Sequence, residues 1–161
     1  MGANASRVKF LVDFDDTVTL RDPTDGAETS TATETAVALN ELDGAYWHSE
    51  GSNVTGFIPN GIICVMFHVS AIVGNDTDET YVLSLEVDDA SAMNDTPVSV
   101  WSQTISRSFT GILYAYVDSQ NIRALATDSS GSELYMAAKA TLGGTTPSIT
   151  YGAWIVKSKM T

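Results

Sequence analysis

The feature that most restricts the fold of this chain is the strict two-residue alternation near its C-terminal end. Leu134, Met136, Ala138, Ala140 and Leu142 share one parity, and Ile149, Tyr151, Ala153 and Ile155 share one parity after a turn of glycine, threonine and proline. A side-chain period of two marks a strand with one face buried, because successive residues point to opposite sides of a sheet. The segment 132–156 therefore predicts two strands closing the chain as an antiparallel sheet element. No polar catalytic group projects from it, which turns attention to surfaces and assembly.

The same signal recurs upstream. Gly61–Val73 is long and apolar, with Ile63, Val65, Phe67, Val69 and Ala71 on one face. Asn75–Glu79 reads as a polar turn. Thr80–Val87 alternates cleanly, Tyr81, Leu83, Leu85 and Val87 opposing Val82, Ser84 and Glu86. After a loop over Asp88–Pro97, strands are expected at Val98–Ile105 and Phe109–Val117, with Gly111 marking a bulge or bend. Asp118–Asp128 reads as a connection with room for a turn of helix. Short strands at this spacing, without helices between them, predict an all-β antiparallel sandwich or jelly roll.

The N-terminal part differs. Val8–Asp13 is a short apolar segment, and Asp22–Thr35 is rich in Asp, Thr, Ser, Ala and Gly, so it has little to bury and is expected to be extended or irregular. Thr35–Leu42 is assigned to a strand. The expected organisation is an irregular N-terminal arm over residues 1–44 and a sandwich domain over residues 45–161. A length of 161 residues suits one domain with a real core.

Charge narrows the partners. Eight lysines and arginines against 20 acidic residues give a net charge of −12, which repels nucleic-acid phosphates. No run is long enough to span a membrane as a helix. The single cysteine, Cys64, excludes a disulfide within the chain and reads as a small buried thiol; His68 shares its face in a strand without making a catalytic pair.

One local motif carries chemistry. Val8–Thr19 reads VKFLVDFDDTVT, an apolar strand followed by Asp-x-Asp-x-Thr, and resembles the first motif of haloacid-dehalogenase-type phosphohydrolases. That resemblance implies Asp13 as nucleophile and Asp15 as acid/base, with magnesium held between carboxylates. The family also needs a later lysine and a parallel sheet with crossover helices, and no lysine occurs between Thr17 and Tyr135. The plainer reading is a short edge strand ending in a solvated acidic turn. Asp76, Asp78 and Glu79, or Asp88 and Asp89, are candidate calcium ligands, but acidic turn residues serve the backbone more often than a metal. Two histidines do not make a zinc site. No catalytic residue, metal or cofactor is expected.

The aromatic residues are spread over the strands. In the Phe109 segment, Ile112, Tyr114 and Tyr116 lie opposite Phe109, Leu113 and Ala115, so both faces are apolar or aromatic. Such a strand is buried on both sides, in the fold or at a subunit contact. A sugar-stacking surface is the competing account.

The segments Tyr81–Asp89, Thr96–Val100, Phe109–Val117 and Ala140–Trp154, above all the turn Gly-Gly-Thr-Thr-Pro-Ser-Ile-Thr-Tyr over 143–151, resemble capsid cement (decoration) proteins of tailed bacteriophages. The resemblance spans roughly residues 60–156 as a pattern of strands and turns. It implies a non-enzymatic virion protein on the capsid exterior, a homo-trimer or dimer that bridges major capsid protein subunits. Under it, Phe10, Val12 and Phe14 on the arm are expected to be buried in the assembly, with Tyr114 and Tyr116 as further interface residues. Deleting residues 1–20 is then expected to abolish attachment and leave a folded domain. The alternatives are the phosphohydrolase using Asp13 and Asp15, and a carbohydrate- or receptor-binding virion module.

Overall fold

A computed structural model describes residues 19–39, 62–74, 77–118, 121–122 and 134–156. Among them are nine strands: β1 Thr19–Arg21, β2 Ala32–Thr33, β3 Val37–Ala38, β4 Ile62–Ile72, β5 Thr80–Asp88, β6 Val98–Ile105, β7 Gly111–Asp118, β8 Tyr135–Gly143 and β9 Ile149–Val156. They form two sheets, one ordered β1-β9-β4-β7 and the other β2-β8-β5-β6, with β3 also on β8. Every pairing is antiparallel. The architecture is the expected all-β sandwich.

The alternation read from the sequence becomes the core. Ile63, Val65, Phe67 and Val69 of β4 face Tyr81, Leu83, Leu85 and Val87 of β5 in one buried cluster, joined by the alternating residues of β8 and β9. Burying each large apolar side chain stabilises the fold by about 1.5–3 kcal/mol relative to exposure. Phe67 stacks on Trp101 of the opposite sheet with ring centres 5.3 Å apart, which ties β4 to β6 across the layer. Beyond Val69 a register shift in the β4–β9 ladder breaks the alternation, so Ala71 drops out of the core and Ile72 packs against it instead.

The closing strands form over the expected residues but do not pair with each other. β8 belongs to one sheet and β9 to the other, so Gly144–Ser148 is an arch between sheets and not a hairpin turn. It packs on the arch between β4 and β5. Thr145 and Thr146 donate their hydroxyls to Asp78 and Glu79, the Tyr81 hydroxyl donates to Glu79, and the Ser148 N–H donates to the Tyr81 oxygen. Glu79, expected in a solvated turn, is buried here. Gly111 opens β7 with φ 137° and makes no bulge, for the β4–β7 ladder runs unbroken from Ile62↔Asp118 to Val69↔Gly111.

Residues 19–39, expected as part of an arm ending at residue 44, are fastened into the sandwich. β1 extends the first sheet along β9, while β2 and β3 lie along β8 of the second. Leu20 and Leu39 are fully enclosed in the core. Its strands have only two or three residues each and are joined by irregular chain and a 3-10 turn at Pro23–Asp25, so the expected irregularity holds locally. Leu20 therefore belongs to the folded domain, and a truncation meant to spare the domain ends before Thr19. The expected strand over 35–42 is observed at Val37–Ala38, and its residues beyond 39 lie outside the described residues.

Candidate adhesive face

The outer side of the β1-β9-β4-β7 sheet carries three aligned rows. The ladder places Tyr116 beside Cys64 and Val156, Tyr114 beside Met66 and Trp154, and Ile112 beside His68 and Gly152. These positions follow from parity: once Ala115 and Val117 turn inward, Ile112, Tyr114 and Tyr116 must turn outward. The face is therefore apolar and aromatic where the outside of a sandwich is ordinarily polar.

Exposure is uneven across it. Trp154 and Met66 are covered, whereas Ile112, Tyr114 and Tyr116 at the β7 edge are 52, 42 and 65 % exposed. The Tyr114 and Tyr116 rings lie 6.4 Å apart at 28° to each other. Trp154 lies along its own strand, and Gly152 makes room for it, since a Cβ there would overlap the indole. Burial pushes the Cys64 thiol up, and a hydrogen bond from Tyr116 only partly offsets it, so the thiol stays protonated and a poor nucleophile. His68 shares the face with Cys64 but stands two rows away, about 13 Å along the strand, out of reach of the sulfur.

A second cluster sits at the opposite edge. Arg21 is buried at 3 % exposure. It donates to Glu28 at 2.7 Å, to Glu34 at 2.8 Å, and to the backbone oxygens of Gly26 and Tyr151. Its neighbours hold its charge on, raising its pKa against the opposing effect of burial. Every contact is internal, so this cluster fastens the 19–39 segment to β9. The sequence signal is a lone arginine amid acids and threonines, in a segment with little to bury.

Of the sequence-derived interface residues, Tyr114 and Tyr116 lie together on the exposed β7 edge. Phe10, Val12 and Phe14 lie outside the described residues, as do Asp13 and Asp15. The pairings among the described strands are all antiparallel. Asp78 and Glu79 accept from threonine hydroxyls of the Gly144–Ser148 arch, and Asp88 accepts the N–H groups of Ala90 and Asp95 in its own loop, so the first two carboxylates join the two arches and the third holds its own turn. Among the described residues no three His, Cys, Asp or Glu side chains are placed to hold a metal. Sequence reasoning placed Ile112 on the face of Tyr114 and Tyr116 but missed Met66 and Trp154; the outward parity of β4 and β9 carried that signal. Comparison with protein-family models, with curated proteins and with solved structures finds no match to this chain.

Proposed function

We propose that this chain is a structural, non-enzymatic virion protein that decorates the outside of a phage capsid and cements neighbouring major capsid protein subunits. The single observation that carries the reading is the exposed Ile112–Tyr114–Tyr116 strip on β7, the end strand of its sheet among the described residues. Contiguous exposed aromatic groups on a sheet edge are costly in an isolated protein and useful at a protein contact. The sequence resemblance to capsid cement proteins points the same way. A charge of −12 keeps such a protein soluble before assembly and off the packaged nucleic acid. Many copies of a modest contact add up to a large stabilisation of a pressurised shell.

Purified, intact virus particles test the reading by immunogold labelling with antibody against the sandwich. Label on the outer surface supports it, and particles that lack the chain refute it.

A carbohydrate-binding virion module is the second reading, favoured by the exposed tyrosine pair, whose rings offer a platform for a sugar. Glycan binding lost on Tyr116→Ala would support it over the first.

A further inference from the structure

We propose that residues 19–39 are a strap that opens as one cooperative unit while the rest of the sandwich stays folded, freeing the outer edges of β8 and β9 together. The inference is independent of the cement reading.

The strap is one stretch of chain laid along the edges of both sheets. β1 lies on β9, and Glu28 is bridged to Ile149 by two backbone hydrogen bonds of 2.8 and 3.0 Å. From there the chain follows β8 from end to end. The Thr31 hydroxyl accepts the Leu142 N–H, β2 and β3 pair with the strand, and the Glu34 and Leu39 N–H groups donate to the oxygens of Ala138 and Leu134. The strap thus closes the sandwich on the side away from β6 and β7.

Its hold is thin in apolar terms. Burial is confined to its two ends, Leu20 and Arg21 at one and Ala38 and Leu39 at the other, and no residue from Asp22 to Val37 is buried. In β5, by contrast, every residue from Leu83 to Asp88 is buried. A segment with few buried apolar contacts opens at a free energy below that of global unfolding. Opening also returns Arg21, Glu28 and Glu34 to water, which recovers the desolvation they bear when closed.

The polar cluster makes the opening concerted. Arg21 holds the Gly26 oxygen, Glu28 and Glu34 at once, and Arg21 and Glu34 both bond to Tyr151 of β9. β1, the turn after it and the link between β2 and β3 therefore hang on one side chain, and none leaves without loosening the others. With the strap open, β8 and β9 become free edges of nine and eight residues. Long edges of that kind accept a strand from another chain, so the strap guards both.

Amide hydrogen exchange of the full chain, followed by NMR over a series of low urea concentrations, tests the proposal. The Glu28, Glu34, Leu39 and Ile149 amides are expected to share one opening constant and one urea dependence. That constant should exceed the one for the Leu83 and Leu85 amides of β5 by at least about tenfold. Glu28→Gln should speed the Ile149 and Leu39 amides by the same factor, although Leu39 lies at the far end of the strap from the substitution. As a second readout, Leu39→Cys in a Cys64→Ser background should react with a thiol reagent at the strap's opening constant, and Leu85→Cys at least about tenfold more slowly. Exchange of the strap amides at the β5 rate overturns the proposal, because the strap then leaves only with the whole fold. Separate opening constants for Ile149 and Leu39 overturn it too, because they show independent fraying.

Discussion

Arg21 and Tyr151 share a single carboxylate oxygen. The Arg21 guanidinium lies 4.7 Å from the centre of the Tyr151 ring, and both side chains donate to Glu34 Oε1 at 2.8 Å. The triangle closes β1 on β9 and pins the chain between β2 and β3 to both. Removing the arginine leaves Glu28 and Glu34 facing each other without their cation. Arg21→Met is therefore expected to cost about 3–5 kcal/mol, the usual penalty for breaking a buried ion pair on one side. Urea unfolding of the two proteins measures it, and Arg21→Met with Glu34→Gln should recover part of the loss.

The same triangle fixes an alkaline limit. Burial, and then the negative charge of Glu34, push the Tyr151 hydroxyl far above its ordinary value of 10.0. A raised folded pKa means the neutral form is favoured in the fold, so the stabilisation is complete below pH 10 and declines as pH rises beyond it, where the unfolded chain ionises and the folded one does not. Stability of the wild type should fall as pH rises above 10. In Tyr151→Phe that part of the slope should vanish, as denaturant midpoints across the alkaline range would record.

Strand positions and inward faces are legible in the sequence because a period of two survives wherever one sheet face is buried. Alternation alone sets Tyr81, Leu83, Leu85 and Val87 on one face, and that face is the core. Pairing is not legible: nothing in residues 143–148 says whether β9 returns to β8 or crosses to the other sheet, since turn chemistry is shared by hairpins and arches. The fastening of 19–39 is hidden for a different reason. A segment poor in apolar residues is held by Arg21 and its polar partners, and hydropathy does not register such a contact. On the adhesive face, Tyr114 and Tyr116 can be named from one strand, but the rows they form with Met66 and Trp154 depend on the β4–β7 and β4–β9 register.

On the outside of the second sheet, Lys139 donates to Glu86 Oε1 at 2.8 Å, while Glu86 Oε2 is buried with no hydrogen-bond partner. Half of this carboxylate is unsatisfied, so the pair contributes less than its geometry suggests. Lys139→Met alone should destabilise by about 1–3 kcal/mol, because it strands the charge. Replacing both, as Glu86→Leu with Lys139→Met, should be neutral or stabilising by about 1–4 kcal/mol. Thermal unfolding of the singles and the double forms the required cycle.

Gly144 sits at φ 102°, and a Cβ on it would stand 2.7 Å from Glu79 Cα. Two arches meet there backbone to backbone. Gly144→Ala should cost about 2–3 kcal/mol, the backbone conformation and the close approach both opposing it. Gly26 has φ 91° with nothing within 4 Å of its would-be Cβ, so Gly26→Ala should cost only about 1 kcal/mol. Equal losses at the two sites would show that the arches do not depend on this contact.

Truncation at the N-terminal end tests where the folded domain begins. Thr19 pairs with Trp154, and Leu20 is enclosed in the core at 1 % exposure. Removing residues 1–18 leaves both in place and should preserve a cooperative melt. Removing residues 1–20 deletes a buried leucine and most of β1, a loss of about 2–5 kcal/mol from the cavity alone, and should lower the midpoint clearly. Under the cement reading, residues 1–18 hold Phe10, Val12 and Phe14, whose alternation suits strand addition to a sheet edge of the shell. The protein lacking residues 1–18 is then expected to stay folded, keep its β7 face, and fail to co-sediment with particles that bind the full chain. Full attachment by this folded truncation would move the shell contact off the arm and onto the sandwich itself.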